Sequence, residues 1–581
     1  MKQFLRKNWV LGLILFLAAV LRLYRLGETP PSLTWDETAL GYNAYSVLKT
    51  ARDEYGKFLP LFFKSFGDFK PGLYVYLTVP SVAIFGLNEF AVRLPSAILG
   101  VLGVWGVYLL TKALLANSFH LGGVMASAPL QPATIRGVSG LAAFALAISP
   151  WHIEFSRGAW EANLTVFLTL AGILSFLKGL EKSRFLTLAA VFFGLSFFSY
   201  QGAKVFTPLL ILGLIFIFWD SLKALRRRNF ILPVFILTIF LLPLLWGISF
   251  GKMGGRAKVM SVFSYPRPAA EIQEVLSQDK ISKAWFTSKI GPNSWTFKLF
   301  HSELLNFGRG ILGRYFNHFS GKFLFFEGDW SNKRLGVPYM GVMYFIEALF
   351  LPLGVYFLIR QGKRPAQNFI FYWLFISAIP AAVSRDSISA VRSLNMVIPL
   401  VIIVALGIWQ LTIWFKARNR LLLAVSCWLL AVSCAWNFAY FLDQYFIHAP
   451  IHNSSTSQYG YRETIKFIAP IAKNYQKIVF TQKYGQPYIY WLFYTEYEPE
   501  SYQKQAHLIE SPVGDVGRIE KIDNIEFRDI YWPADRGIKN GLFIGTEFEL
   551  PLGDIKLGQA TVLKEINFLK GQLAFRIVET R

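Results

Sequence analysis

The chain has 581 residues, of which 54% are hydrophobic and 17% aromatic, and it carries a formal net charge of +23. This composition is too apolar for a water-soluble fold of that length, so it predicts an integral membrane protein. The positive charge would suit a nucleic-acid partner only if the basic residues formed one surface, and their distribution along the chain argues against this.

Apolar stretches of about 17 to 25 residues can cross a hydrocarbon core of roughly 30 Å as helices, and several such stretches are present. Together with shorter ones that the charge pattern requires, they predict about eleven transmembrane helices. The predicted spans are 8–26, 91–115, 138–151, 162–178, 185–201, 203–219, 230–249, 337–359, 368–384, 394–415 and 421–446. The first is interpreted as a retained signal anchor, because no small-residue cleavage pattern follows it.

The basic residues form short clusters between these spans, almost without acids. They are Lys2, Arg6, Lys7, Lys112, Arg136, Lys178, Lys182, Arg184, Lys223, Arg226, Arg227, Arg228, Arg360, Lys363, Arg364, Lys416, Arg418 and Arg420. Such clusters mark cytoplasmic loops of a cell-membrane protein. The N-terminus is therefore expected in the cytoplasm and, after an odd number of spans, the C-terminal segment outside. The lipid bilayer accounts for the charge, and no nucleic-acid partner is predicted.

The predicted path leaves three extracytoplasmic pieces: residues 27–90, residues 250–336 and the chain after about 446. We therefore predict a transmembrane module over residues 1–446 and a soluble domain over residues 447–581. A short alternating strand and a Tyr-rich run predict a small α/β fold for that domain. The apolar stretch from Pro71 to Gly86 would break the charge rule as a full span, so we expect it at the membrane interface.

The first outer loop concentrates acids next to the membrane. Asp36 and Glu37 follow Trp35, and the same loop continues to Asp68 and Lys70. If residues 36–50 form a helix on the membrane, Asp36 is expected near its N-terminus. One interpretation is an N-cap followed by a solvated acid. The other is a site in which a carboxylate and a cation face each other, as glycosyl transfer from a lipid-linked phosphate requires.

Two further segments place arginines where predicted spans end on the outer side. Arg157 and Glu161 lie one helical turn apart, and Arg392 ends the run that begins at Ser384. Arginine binds phosphate through two parallel hydrogen bonds, so these residues are candidates for a lipid phosphate. The alternative for each is an arginine that marks the end of a helix.

Four segments in chain order resemble glycosyltransferase family 39. They are Trp35-Asp36-Glu37, Asp68-Phe69-Lys70-Pro71-Gly72-Leu73-Tyr74, Asn88 to Ala97, and Ser149-Pro150-Trp151-His152-Ile153-Glu154-Phe155-Ser156-Arg157. The family has the GT-C membrane fold and includes protein O-mannosyltransferases and bacterial aminoarabinose transferases of lipid A. The elements His452-Asn453-Ser454 and Tyr459-Gly460-Tyr461 also resemble the bacterial branch. The expected fold is thus a helical polytopic protein of GT-C type, with interfacial helices in the first outer loop and a C-terminal extracytoplasmic α/β domain.

The resemblance implies a polyprenyl-phosphate sugar donor, an inverting transfer of a hexosyl or pentosyl group, and a protein, lipid or cell-envelope glycan as acceptor. It also implies that an acid of the first outer loop is the base. The residues predicted for catalysis are Asp36, Glu37 and Asp68, those for the donor phosphate Lys70, Arg157, Arg392 and Arg93, and those for other substrate contacts Tyr42, Glu161, Tyr200 and Gln201. Phe69 precedes Lys70 where the aminoarabinose branch has an acid. No cofactor is assigned, and a divalent metal ion stays open as an alternative.

Two other classes of protein were weighed against an enzyme. A transporter or flippase of lipid-linked sugars would hold its polar site near the midplane of the membrane, often in broken helices. Here the predicted spans hold few ionisable residues, with Lys204 as the main exception, and the acids cluster in outer loops. The second alternative is a non-catalytic scaffold for envelope assembly. The set of acids and arginines is the only sequence argument against it.

Overall fold

The computed structural model describes residues 2–116, 131–249, 261–264, 299, 303–361, 364–418, 420–510, 516–557 and 560–581. The predicted outer loop 250–336 thus lies in large part outside the described residues. The α-helices are Lys2–Leu23, Trp35–Thr50, Leu73–Phe85, Glu89–Ala116, Pro132–Ile148, Pro150–Arg157, Glu161–Glu181, Arg184–Ser196, Ala203–Ile217, Trp219–Lys223, Ile231–Ser249, Glu303–Asn317, Glu347–Gln361, Arg364–Ser377, Ile379–Ala382, Val397–Arg418, Arg420–Asp443, Ala449–His452, Tyr461–Ile468, Pro487–Tyr494, Pro499–Gln505, Trp532–Asp535 and Leu552–Leu557.

Among the described residues, five helices are long and apolar enough to cross a membrane. The helices Pro132–Ile148 and Pro150–Arg157, bent by 54° at Ser149, make a sixth if they count as one span. Each predicted span overlaps a helix, although Ala203–Ile217 and Arg184–Ser196 are shorter than a full crossing. The protein is therefore a multi-pass membrane protein, and the number of eleven spans stays a prediction.

Small residues allow one of the long helices to pack backbone against backbone with a shorter helix. A Cβ atom on Gly354 would collide with the carbonyl oxygen of Ile403, and one on Gly407 would collide with that of Phe350. Helices in lipid gain little from the hydrophobic effect between them, so close backbone approach through small residues is a main source of their association. The helices Glu347–Gln361 and Val397–Arg418 use it here.

The first outer loop folds into a helix, a hairpin and a second helix. The hairpin consists of β1 (Phe62–Ser65) and β2 (Asp68–Pro71), paired so that Phe63 lies opposite Lys70. The helix Leu73–Phe85 that follows has 13 residues. At about 1.5 Å per residue it spans roughly 20 Å, too short for a hydrocarbon core of about 30 Å. This length agrees with the expected interfacial position.

The C-terminal part contains strands, as predicted. They are β3 (Lys477–Phe480), β4 (Leu508–Ile509), β5 (Arg518–Ile519), β6 (Lys521–Ile522), β7 (Ile525–Phe527), β8 (Gly541–Gly545), β9 (Ala560–Asn567) and β10 (Leu573–Thr580). Six of them form a mixed sheet in the order β6-β7-β3-β8-β10-β9, in which β3 is parallel to both neighbours. The apolar face of this sheet and the first outer loop share one hydrophobic core. In that core the Tyr42 ring packs edge-on against the Tyr502 ring.

Candidate active site

A cavity of about 260 Å³ opens where the first outer loop meets four other segments. These segments are the start of the helix Glu161–Glu181, the turn before the helix Ala203–Ile217, residues 329–335 and residues 385–392. Its polar lining residues are Asp36, Glu37, Lys70, Glu161, Tyr200, Gln201, Asp329, Ser331, Asn332, Arg334, Arg385, Asp386, Ser389 and Arg392. Most of them carry a charge, so the cavity is polar although apolar helices surround it.

Asp36 reaches the cavity with two cations beside it. Lys70 Nζ forms an ion pair with Asp36 Oδ1, and Arg334 Nη2 lies 3.9 Å from Asp36 Oδ2. The side chain of Lys70 is only 9% exposed, whereas that of Asp36 is 35% exposed. The carboxylate of Asp36 is therefore the member of the pair that a substrate can reach.

The hairpin explains how Lys70 returns to Asp36. The residues between its strands are Phe66 and Gly67, with φ angles of 55° and 88°. Two central residues with positive φ form the tight turn that matches the twist of a two-stranded ribbon. Glycine adopts this conformation without steric cost. Strand β2 therefore runs directly back from the turn, and Lys70 faces the start of the helix Trp35–Thr50.

Glu37 has a structural environment although it follows Asp36 directly. Thr34, not Asp36, caps the helix Trp35–Thr50, and Glu37 completes the capping box by accepting a hydrogen bond from the Thr34 amide. The expectation of an N-cap at Asp36 is therefore wrong. The other carboxylate oxygen of Glu37 accepts from Arg93 Nε at 3.1 Å and from the Ala159 amide at 2.9 Å. These bonds occupy Glu37, and Glu37 rather than Asp36 completes the capping box.

The opposite wall of the cavity is built from two loops joined by Asp329. Asp329 accepts hydrogen bonds from the Ala390 amide at 2.8 Å and from Ser331 Oγ at 2.8 Å. Burial raises the pKa of this carboxyl despite these bonds, and the nearby Asp386 raises it further. Asp329 thus fixes the loop 385–392 relative to residues 329–332.

Arg392 is the main cation of this wall. Its Nη1 atom forms an ion pair with Asp386 and donates to Ser384 Oγ at 3.3 Å. Burial lowers the pKa of Arg392, but Tyr200 and Asp386 outweigh this and hold the pKa above its usual value. Arg392 therefore stays charged and can accept an anionic ligand.

Three predicted residues supply uncharged or unpaired polar groups. Tyr200 lines the cavity, and its phenol can both donate and accept a hydrogen bond. Gln201 donates to the Phe69 carbonyl at 2.8 Å and accepts from Lys204 Nζ at 2.5 Å, which fixes its amide at the cavity wall. Glu161 Oε1 is buried without a hydrogen-bond partner among the residues that the structure describes. Such groups suit the hydroxyls of a sugar.

The structure brings Asp36, Glu37, Lys70, Glu161, Tyr200, Gln201 and Arg392 to one cavity, and it does not bring the other predicted site residues there. Arg157 is fully buried and donates to the carbonyls of Leu21 and Thr29 at 2.8 and 3.0 Å. Arg93 donates to backbone carbonyls and to Glu37, Tyr42 donates to the Tyr497 carbonyl, and Asp68 accepts from the Phe69 amide. Their polar atoms hold the backbone of the outer loops together.

Several cavity residues were not among the candidates from the sequence. Arg385 and Asp386 stand in the same short run as Arg392, so the charge density there was the available signal. Asp329 and Arg334 lie at the end of a long loop without a diagnostic motif. Within the described residues, no group of three or more His, Cys, Asp or Glu side chains could hold a metal ion.

Comparison with known structures gives the fold class. ArnT from Cupriavidus metallidurans bound to undecaprenyl phosphate matches with a TM-score of 0.53 and 12% identity over 98% of each chain. The same protein in the apo state matches with a TM-score of 0.50 and 12% identity, over 99% of this chain and 98% of that one. At this level of identity the likeness concerns the fold. The chain has the GT-C membrane fold, as predicted.

Other comparisons cover less of the molecules involved. Residues 12–121 match the model of a family described as dolichyl-phosphate-mannose-protein mannosyltransferase, which confirms the resemblance to family 39 in that region. The archaeal oligosaccharyltransferase AglB from Archaeoglobus fulgidus, in complex with an inhibitory peptide and a dolichol-phosphate, has a TM-score of 0.46 and 15% identity. That match covers 80% of this chain, which spans only 58% of AglB. Comparison with curated protein sequences gives no match.

Proposed function

We propose that this protein transfers a glycosyl group from a polyprenyl-phosphate-linked sugar to a hydroxyl-bearing acceptor on the extracytoplasmic face of the membrane. The observation that carries the proposal is the pairing, in one polar cavity, of a half-exposed carboxylate with several cations. The undecaprenyl phosphate bound by ArnT, which shares the fold, supports a lipid phosphate as the leaving group. The match of residues 12–121 to a dolichyl-phosphate-mannose-dependent family supports it independently.

In the proposed reaction, the acceptor oxygen attacks the anomeric carbon from the side opposite the phosphate. The bond from that carbon to the phosphate oxygen breaks, and the configuration at the carbon inverts. Asp36 takes the proton of the acceptor hydroxyl, because it is the exposed carboxylate next to the Lys70 ammonium group. A positioned base of this kind contributes typically 10² to 10⁴-fold to the rate.

The leaving polyprenyl phosphate gains negative charge as the bond breaks. We assign its stabilisation to Lys70, Arg392, Arg334 and Arg385, which line the cavity. Fixed cations in a partly desolvated site stabilise such charge more than water does, because they need no reorganisation. Arg157 and Arg93 are left out of this set, since neither lines the cavity and both donate to backbone carbonyls elsewhere. Tyr200, Gln201 and Glu161 are proposed to contact the sugar hydroxyls.

The test is the variant Asp36→Asn with Asp68→Asn as its matched control. Both changes replace a carboxylate of the first outer loop by an amide of nearly equal volume, but only Asp36 lines the cavity. Wild-type protein in liposomes is incubated with tritiated polyprenyl-phosphate sugars and with acceptors, both extracted from membranes of a strain that lacks this protein. The sugar donor that the wild type consumes is identified, and the turnover of both variants is then measured with that donor. We expect Asp36→Asn to lose on the order of 10² to 10⁴-fold in kcat and Asp68→Asn to keep wild-type turnover. Normal turnover of Asp36→Asn would refute the proposal.

A further inference from the structure

A short segment after the last long helix connects both walls of the cavity. We call residues 453–458 the strap. On one side, Ser32 Oγ donates to the Ser457 carbonyl, which holds the chain just before the helix Trp35–Thr50. On the other side, Asn453 Nδ2 donates to the Gly336 carbonyl at 3.2 Å, next to the loop that carries Arg334. The strap therefore contacts the two segments that face each other across Asp36.

Gln458 is the residue that links the strap to Trp35, directly before Asp36. Its Oε1 atom accepts from the Trp35 amide at 2.9 Å and from the Tyr490 hydroxyl at 2.8 Å. Its Nε2 atom donates to the Tyr484 carbonyl at 3.2 Å. The residue is only 4% exposed. All polar atoms of its side chain are thus used, and they join the start of the helix to the C-terminal part.

The backbone of Gln458 adopts a conformation that requires support. Its φ angle is 61°, in the left-handed region that residues other than glycine seldom occupy. Such a conformation is strained and persists only where surrounding contacts fix it. The hydrogen bonds of Ser457 and Gln458 supply those contacts. Strained residues of this kind are concentrated at functional sites.

Trp35, the residue directly before Asp36, is held from two sides. Gly485 lies so close to its indole ring that a Cβ atom there would come within 2.5 Å. The Arg334 guanidinium group lies over the same ring at 5.3 Å. Together with the bond from its amide to Gln458, these contacts fix the first turn of the helix. The direction of the Asp36 side chain depends on that turn.

We propose that Gln458 is a positioning residue, through which the strap sets the orientation of Asp36 in the cavity. This inference rests on the proposed function, because it assigns Asp36 the role of base. The C-terminal part would then belong to the active site mechanically, although none of its residues lines the cavity among the described ones. Misplacement of a catalytic group by about 1 Å can cost on the order of 10²-fold in rate.

The test compares Gln458→Ala with Gln482→Ala. Gln482 is a matched control, because its Nε2 atom also donates to backbone carbonyls, those of Ile519 and Phe527, but within the C-terminal part. With the donor consumed by the wild type, we expect Gln458→Ala to lower kcat about 30- to 100-fold with little change in KM, measured per folded molecule. Gln482→Ala should affect only stability. Gln458→Glu keeps the accepting oxygen, and we expect it to recover part of the lost kcat.

A double-mutant cycle with Asp36→Asn separates positioning from a general structural effect. If Gln458 acts through Asp36, adding Gln458→Ala to Asp36→Asn lowers the residual rate by less than threefold, because the oriented base is already absent. If the double variant instead loses the product of the two single fold-losses in rate, the inference is overturned. Equal kcat values for Gln458→Ala and Gln482→Ala would overturn it as well. In either case a strongly impaired Asp36→Asn would leave the proposed function intact. A normal Asp36→Asn would overturn both.

Discussion

Asp36 and Glu37 are consecutive acids with different surroundings. Successive residues of a helix point about 100° apart, so one side chain faces Lys70 and the cavity while the other faces Arg93 and the Ala159 amide. Removal of Glu37 would leave the buried Nε atom of Arg93 and the Ala159 amide without an acceptor, and its loss would mainly affect folding. Of these two acids, only Asp36 combines a carboxylate with access to a substrate.

Arg392 and Arg157 were equivalent candidates in the sequence, and the structure separates them. We predict that Arg392→Ala weakens the binding of undecaprenyl phosphate about 10- to 100-fold, because a hydrogen bond to a charged group contributes roughly 1.5 to 3 kcal/mol. Binding is measured with the purified protein in detergent micelles. Arg360→Ala removes an exposed arginine from a predicted cytoplasmic loop and serves as the control.

Arg157→Ala should leave that affinity close to the wild-type value and lower the thermal unfolding midpoint instead. Its guanidinium group donates to three backbone carbonyls, those of Leu21, Arg25 and Thr29, and lies over the Phe446 ring at 4.8 Å. A weaker binding by Arg157→Ala than by Arg392→Ala would contradict the assignment.

Sequence patterns indicated these residues but not their partners. The chemistry of Asp36, Lys70 and Arg392 was recognisable from their positions at predicted membrane edges, and the cavity contains all three. The pattern Thr34-x-x-Glu37 is the signature of a capping box, and it would have corrected the assumed cap at Asp36. Nothing in the sequence distinguishes Arg157 from Arg392, because the difference is whether the guanidinium group lines the cavity or donates to backbone carbonyls in the packed interior.

At the scale of elements, the start of the helix Trp35–Thr50 determines where the proposed base lies. Thr34 Oγ1 accepts from the Glu37 amide at 3.3 Å, and the Glu37 side chain accepts from the Thr34 amide at 3.0 Å. The cap and the hairpin β1-β2 are both local structures, so their sequence signals are local as well. The contact between the start of this helix and the strap has no local sequence signal, because the contacting residues are more than 400 positions apart in the chain.

We predict that Thr34→Ala lowers the free energy of unfolding by about 0.5 to 2 kcal/mol, since the cap loses its side-chain oxygen. Thr34→Ser keeps that oxygen and should lie near the wild type. The unfolding midpoint of the detergent-solubilised protein measures the difference. Because the first turn also carries Asp36, turnover of Thr34→Ala should fall while that of Thr34→Ser does not. Equal midpoints for both variants would show that the cap does not contribute.

At the scale of the whole molecule, apolar stretches located the long helices well, since hydropathy reports burial in lipid directly. The predicted ends of the helices agreed less well with the structure. The predicted span 337–359 begins with non-helical residues, and the helix itself is Glu347–Gln361. How the C-terminal part packs against the first outer loop could not be predicted, because that interface consists of aromatic residues such as Phe66 and Tyr488, 6.0 Å apart, with no pattern of their own.

Glu54 makes this interface sensitive to pH. It accepts hydrogen bonds from Asn43 and Ser65 at 3.2 and 3.3 Å, and burial raises its pKa from 4.5 to about 8. A carboxyl with a raised pKa in the folded state contributes stability that is complete below its unfolded pKa. This stability is lost as the pH rises toward about 8. The unfolding midpoint of the wild type should therefore fall over that range.

Glu54→Gln removes the titrating group and keeps a hydrogen-bond acceptor. We expect its unfolding midpoint to depend less on pH and to exceed that of the wild type above about pH 8. The control is Glu500→Gln, which changes an exposed acid of the C-terminal part. Parallel pH profiles of the wild type and Glu54→Gln would contradict the assignment of this dependence to Glu54.

The basic clusters predict the orientation in the membrane, and the proposed function requires it, because a donor presented outside must meet Asp36 there. We predict that a membrane-impermeant maleimide labels Ser501→Cys in intact cells, since Ser501 is exposed in the C-terminal part. The exposed Ala224→Cys, beside the basic run Arg226 to Arg228, should react only after permeabilisation. Both variants are made after replacing Cys427 and Cys434 by alanine, since both are free cysteines. The opposite labelling pattern would place Asp36 and the strap in the cytoplasm, where an extracytoplasmic glycosyl transfer could not occur.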